Sequence, residues 1–144
     1  MAYAVEKTIN GTWGEVWIDD YYLAEVTGLD AKVTIEKTEV NQTRTLAKGY
    51  KTTGLDCKGT LKFNKVSSYF LNLMSENIKK GKATVCTIIS KIEDPDSNGT
   101  ERVKLTGCTF DELQLVNWEA KKLAEESMPF SFTGWEVLDT ISPL

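Results

Sequence analysis

Chemistry near neutral pH falls most often to histidine, and this chain has none. Acid-base work would have to come from a carboxylate, lysine or cysteine whose pKa is displaced by burial or by a close charge. The three cysteines, Cys57, Cys86 and Cys108, are odd in number, widely spaced and without a CxxC pair. Each lies in a stretch that reads as a strand, which predicts reduced thiols used as small core residues in place of a metal or redox centre. The letters DPDSNG at 94–99 open like a calcium loop, with oxygen ligands at alternate positions and glycine at the sixth. The pattern fails at the twelfth position, Leu105, where a bidentate glutamate belongs, and no helix is predicted on either side. Turn chemistry explains the same residues. Asn10, Asn41 and Asn98 each precede a threonine by two positions, a spacing that matters only in a secreted protein. With no Gly-rich phosphate cradle, HExxH or GxSxG, the sequence predicts no catalytic residue, no cofactor and no metal site.

The elements that would have to position any site are mostly strands. Residues 12–19, TWGEVWID, mix Trp13, Val16 and Ile18 with polar positions, and the Asp19-Asp20 pair punctuates the end. Residues 23–37 hold one bent strand or two short ones, with Gly28 suited to a bulge. From Ala31 the alternation is clean: Ala31, Val33 and Ile35 face one way, Lys32, Thr34 and Glu36 the other. A second long strand, 55–63, sets Leu55, Cys57, Leu61 and Phe63 against Asp56, Lys58, Thr60 and Lys62. The period then changes. Val66, Phe70, Leu73, Met74 and Ile78 recur at helical spacing, Ser67 can cap, and Lys79, Lys80 and Gly81 can close, predicting one helix over about 67–80. Strands follow at 83–92, at 102–118 with a break near Asp111-Glu112, and at 127–138, with a charged connection or single helical turn at 119–126. The tryptophans are read as core residues, except Trp17, which falls out of step with Val16 and Ile18 and is a candidate for a neighbouring subunit's surface. One helix among long alternating strands predicts a mainly β fold, a sandwich or barrel with the helix packed on it, in a single domain over 1–144.

Between the two long strands lies the insert 38–54, polar and rich in charge, with Glu39, Arg44, Lys48, Tyr50 and Lys51. A hairpin reverses in about two to five residues, and a long polar loop cannot order itself by burying its own side chains. The insert therefore predicts a partner. Its local positive charge suits an acidic patch on another copy of the chain, and Asp19, Asp20, Glu125 and Glu126 are the candidates. A repeated head-to-tail contact of this kind makes an open stack.

Composition narrows the partner. Seventeen basic against 21 acidic residues give a formal charge of −4, the wrong sign for gripping nucleic acid and the right one for letting it slide past. No window approaches the ~20 apolar residues of a membrane-spanning helix, and the start, MAYAVEKTINGTWGEV, lacks the basic end and apolar run of a secretory leader. The expectation is synthesis in a cytoplasm with no membrane anchor. Residues 1–10 and 139–144 are expected to be flexible arms.

Three segments, GTWGEVWID, SKIEDPDSNGTERVKL and MPFSFTGWEVLD, in this order and near these positions, resemble the core tail proteins of the phage-like element PBSX. These are tube proteins of contractile phage tails and R-type bacteriocins, and the similarity spans residues 11 to about 139. The resemblance implies a tail-tube fold, a bacterial host cytoplasm as the place of synthesis, and a virion or phage-tail-like particle as the destination. It further implies six copies closing a ring and rings stacked into a hollow tube inside a contractile sheath. Baseplate or tail initiator, tape-measure protein and DNA passing through without specific binding would be the other partners. Residues 38–54 would then reach the next ring, and Lys32, Thr34, Glu36, Asp56, Lys58, Thr60 and Lys62 would line the lumen. The nearest alternatives are a tube-like protein of a type VI secretion system and, from another class, a small-ligand β-barrel with an apolar cavity.

Overall fold

In the computed structural model, which describes residues 2–143, the alternation that the sequence shows from Ala31 begins earlier and ends later. Strand β3 is Val26–Val40 and β4 is Gly49–Asn64, paired antiparallel along their length. Most of the segment expected as a loop is therefore strand, and only residues 41–48 turn the chain. Cross-strand hydrogen bonding, and not burial, orders it: a polar stretch ladders as readily as an apolar one once its partner is in register. Two irregularities bend the pair, one at Thr27 beside Gly28 and one at Thr53 opposite Glu36 and Lys37. At ~3.3 Å per residue β3 spans roughly 50 Å, whereas a compact 144-residue globule is about 37 Å across. A hairpin of that length has to project.

The rest of the chain builds the body. Strands β1 (Gly14–Ile18) and β2 (Tyr21–Tyr22) form a tight hairpin; β5 (Cys86–Ile92) and β6 (Glu101–Phe110) form another. Strands β7 (Glu125–Ser131) and β8 (Gly134–Asp139) complete an antiparallel sheet ordered β2-β1-β5-β6-β7-β4-β3, with β8 also on β6. The sheet folds over at β6, which is shared between two layers. Its first half pairs β8 through Thr106, and its last residues, Thr109 and Phe110, pair β7. Gly107 sits at the change of partner with φ 64, where a side chain would also overlap Thr133. The single strand expected over 127–138 is thus two, because the chain crosses between layers at Phe132 and Thr133, whose amides bond Cys57 O and Thr106 O.

The core between the layers is phenylalanine and aliphatic: Ile18, Leu23, Leu61, Phe63, Ile88, Leu105, Met128, Phe130 and Phe132 are all buried. The tryptophans are not core residues. Trp13, Trp118 and Trp135 are exposed and Trp17 is half-buried. Helix α1, Tyr69–Lys79, is two residues shorter at its start than the spacing predicts. It contributes Phe70 and Met74, and Phe70 packs between Phe63 and Phe110 at ring-centre distances of 4.9 and 5.3 Å. Gly81, at φ 70, closes the helix as its glycine suggests, with Lys82 N donating to Asn77 O. Strand 102–118 also shortens: Asp111 N turns to Pro129 O, and beyond it Leu115, Val116 and Trp118 run exposed. Residue 5 begins a short 3-10 turn, and Asn10 N is held by Asp94 Oδ2 at 2.8 Å.

Candidate functional site: a self-assembly surface

Directly opposed residues of an antiparallel pair share a face, so the β3–β4 register decides where the predicted wet residues lie. Lys32 opposes Lys58, Thr34 opposes Asp56, Thr60 opposes Asp30, Glu36 opposes Gly54 and Lys62 opposes Gly28. All seven lumen candidates, Lys32, Thr34, Glu36, Asp56, Lys58, Thr60 and Lys62, therefore stand on one face of one hairpin. Asp30 and Lys51 join them though the sequence does not single them out for this face: Asp30 precedes the clean alternation that starts at Ala31, and Lys51 falls in the segment expected as a loop. The face is banded. From the body outward the rungs run positive, negative, doubly positive, negative, negative, positive. Among the described residues no ion pair involves any of these charges.

The other face of the same hairpin changes character along its length. Leu29 over Leu61 and Val33 over Cys57 pack on the core, while Ala31, opposite Gly59 between them, is exposed. Gly59 is glycine for space: a side chain there would collide with the Asp30 carbonyl and the Phe130 ring. Two rungs further, Ile35 opposes Leu55 and each is 53% exposed. The dry face has outrun the body that should cover it. Beyond the Thr53 irregularity come Lys37 over Thr52 and Glu39 over Tyr50, then the tip, where Leu46 is fully exposed. Lys48 approaches Glu39 at 3.8 Å with both side chains in solvent, an ion pair of little energetic worth. Arg44 sits at φ 62 and pairs with no acid among the described residues.

The acidic interface candidates separate. Asp20 lies exposed in the β1–β2 turn, while Asp19, at φ 52, caps β5 by accepting the Thr87 amide. Glu125 is exposed at the start of β7. Glu126 is not available to a neighbour: it is buried, with Oε1 3.0 Å from Lys65 Nζ. Trp17 packs on Tyr22, ring centres 5.3 Å apart, with part of its surface still open. Strand β3 is the last in the sheet, and among the described residues nothing pairs with its outer edge.

Elsewhere the groups that might do chemistry are occupied. Burial pushes the Cys86 thiol up to about 12 and the Cys108 thiol up to about 11, and each thiol lies against a backbone carbonyl. Both stay protonated near neutral pH and are poor nucleophiles. Asp94 spends its carboxylate on the amides of Asn10 and Asp96, and its own carbonyl takes the Ser97 hydroxyl, so the DPDSNG letters make an Asp-stabilised turn.

A long unpaired edge, a projecting hairpin with bare apolar residues, and a single closed core define a β-subunit that completes itself against other subunits. The sequence comparisons agree. The model of the family described as phage tail tube protein matches residues 1–139, and the chain belongs to that family; it is a structural tube subunit. It is 35% identical over 144 residues to the phage-like element PBSX protein XkdM of Bacillus subtilis (strain 168), covering 99% of this chain and 98% of the relative. In fold it is similar to a chain of the PVC extracellular contractile injection system sheath-tube complex in the extended state. That match has a TM-score of 0.75 at 9% identity and covers 94% of this chain and 95% of the other. A chain of the anti-feeding prophage tube-terminating cap matches with a TM-score of 0.71 at 11% identity, covering 97% of each.

Proposed function

We propose that the chain is the subunit of the inner tube of a contractile tail or a phage-tail-like particle, with six copies closing a ring and rings stacking into a hollow cylinder. The observation that carries this reading is the β3–β4 hairpin, which is longer than the body and leaves Ile35, Leu55 and Leu46 bare. Around the ring, neighbouring sheets pair across the free β3 edge. Along the axis, the tip, with Glu39, Arg44, Lys48, Tyr50 and Lys51 at or near it, reaches the adjacent ring. The banded face with Lys32 and Lys58 lines the lumen, where charges of both signs in alternating belts hold water without gripping a passing polyanion.

The chain works by assembly and has no catalytic step. A sheath protein surrounds the tube, a baseplate or initiator nucleates it, and a tape-measure protein occupies it during growth. Synthesis takes place in the bacterial host cytoplasm. No helix among the described residues is long and apolar enough to cross a membrane. Negative-stain microscopy of concentrated protein with a tail initiator tests the reading: hollow tubes of constant width are expected, and monomers or amorphous aggregate under every condition would overturn it.

A further inference from the structure

The hairpin tip and the cleft at the opposite end of the body carry opposite charges beside apolar surface. At the tip, residues 41–48 place Arg44 and Lys48 on either side of a fully exposed Leu46, a small apolar knob carrying two positive charges. At the other end, β1, β3 and β6 begin and β5 ends, and the two layers part around a cleft of 590 Å³. Val16, Val26, Leu29 and Ile92 line it, and among the described residues the charged ones that line it are Glu15 and Glu101. Neither acid makes an ion pair among the described residues. Two acids without an ion-pair partner beside an apolar floor match Arg44, itself without one, and Lys48, whose contact with Glu39 is long and solvent-exposed, beside a bare leucine.

Strand direction supplies the geometry. β3 starts at the cleft, at Val26, and runs outward toward the tip, reaching Val40. A shift of one copy along β3 therefore carries its tip away from its own cleft and toward the cleft of the next. Such a contact uses two different surfaces of the same chain, so it propagates without closing. We infer that Arg44, Leu46 and Lys48 of one copy seat in the cleft of a second copy in the next ring. Leu46 lies there against Val26 and Leu29, and the two cations meet Glu15 and Glu101. The inference rests on the tube reading and names the receptor for its inter-ring contact.

Cross-linking tests it in the full chain, with Cys57→Ser as background because Cys86 and Cys108 are buried. Leu46→Cys combined with Thr27→Cys, treated with a short bis-maleimide, is expected to give a ladder of covalent oligomers from assembled tubes and none from either single variant. Within one chain β3 alone separates the two positions by roughly 40 Å, so the link can only be between copies. Tubes that form but give no ladder, or give one only when Thr27→Cys is replaced by Glu125→Cys, would overturn the cleft as receptor and leave the tube reading intact. Absence of tubes from the unsubstituted chain would overturn both. Charge reversal provides a second readout, with circular dichroism confirming the fold. Arg44→Glu with Lys48→Glu is expected to cut tube yield at least tenfold, and adding Glu15→Lys with Glu101→Lys is expected to restore it. Failure of that restoration in folded protein would contradict the pairing.

Discussion

The two halves of the β3–β4 hairpin have the same alternation and nearly the same chemistry, yet one is core and the other is bare. In the body half, Leu61 and Phe63 are buried under Phe130, Phe132 and helix α1. In the projecting half, Ile35 and Leu55 continue the same dry face but are each 53% exposed. The difference teaches that alternation reports which face is dry, whereas the amount of chain left over decides whose atoms dry it. A strand pair of roughly 50 Å, in a chain whose compact globule would be about 37 Å across, has an end that its own body does not cover.

The comparison breaks most completely if the arm proves dispensable. Replacing residues 37–53 by Asn-Gly joins Glu36 to Gly54 through a two-residue turn that suits paired strands. Tube formation is expected to be lost altogether, with monomer stability unchanged to within about 0.5 kcal/mol, as checked by electron microscopy and urea unfolding. A smaller effect separates the two halves within one face. Phe130→Ala should cost about 3–5 kcal/mol of stability, as large truncations in a packed core do. Leu55→Ala, half-exposed, should cost under about 1 kcal/mol in the monomer and show itself in assembly. Next comes Glu126→Ala, which strands Lys65 beside the start of β7. About 2 kcal/mol is expected by urea unfolding, below the 3–5 kcal/mol of a fully buried pair because the Lys65 side chain is partly in solvent.

Much of this was legible in the residues. The β class, the single helix with its Gly81 closure and the common face of Lys32, Thr34, Glu36, Asp56, Lys58, Thr60 and Lys62 all follow from periodicity, because a period of two or 3.6 is imposed by backbone geometry alone. What could not be read was pairing. Residues 38–40 and 49–54 offer only Val40 and Tyr50 as large apolar residues, too few to mark a strand by alternation, and they form one because a partner strand stands in register. Glu126 looked like a surface acid until β7 carried it over Lys65. The tryptophans looked like core by size, but the phenylalanines fill the interior, and no pattern in one sequence ranks large aromatics by depth. The split at Thr133 leaves only a phase slip in the letters, with Met128, Phe130 and Phe132 on even positions and Trp135 and Val137 on odd ones, and a bulge within one strand would leave the same slip.

The central claim, that the arm is completed by another copy, is tested most directly by amide hydrogen exchange on the free subunit and on assembled tubes. Amides of residues 41–48 and of the outer edge of β3 should exchange quickly in the subunit and become strongly protected in the tube, while β5 and β6 stay equally protected in both. Equal protection of the arm in both states would contradict the claim.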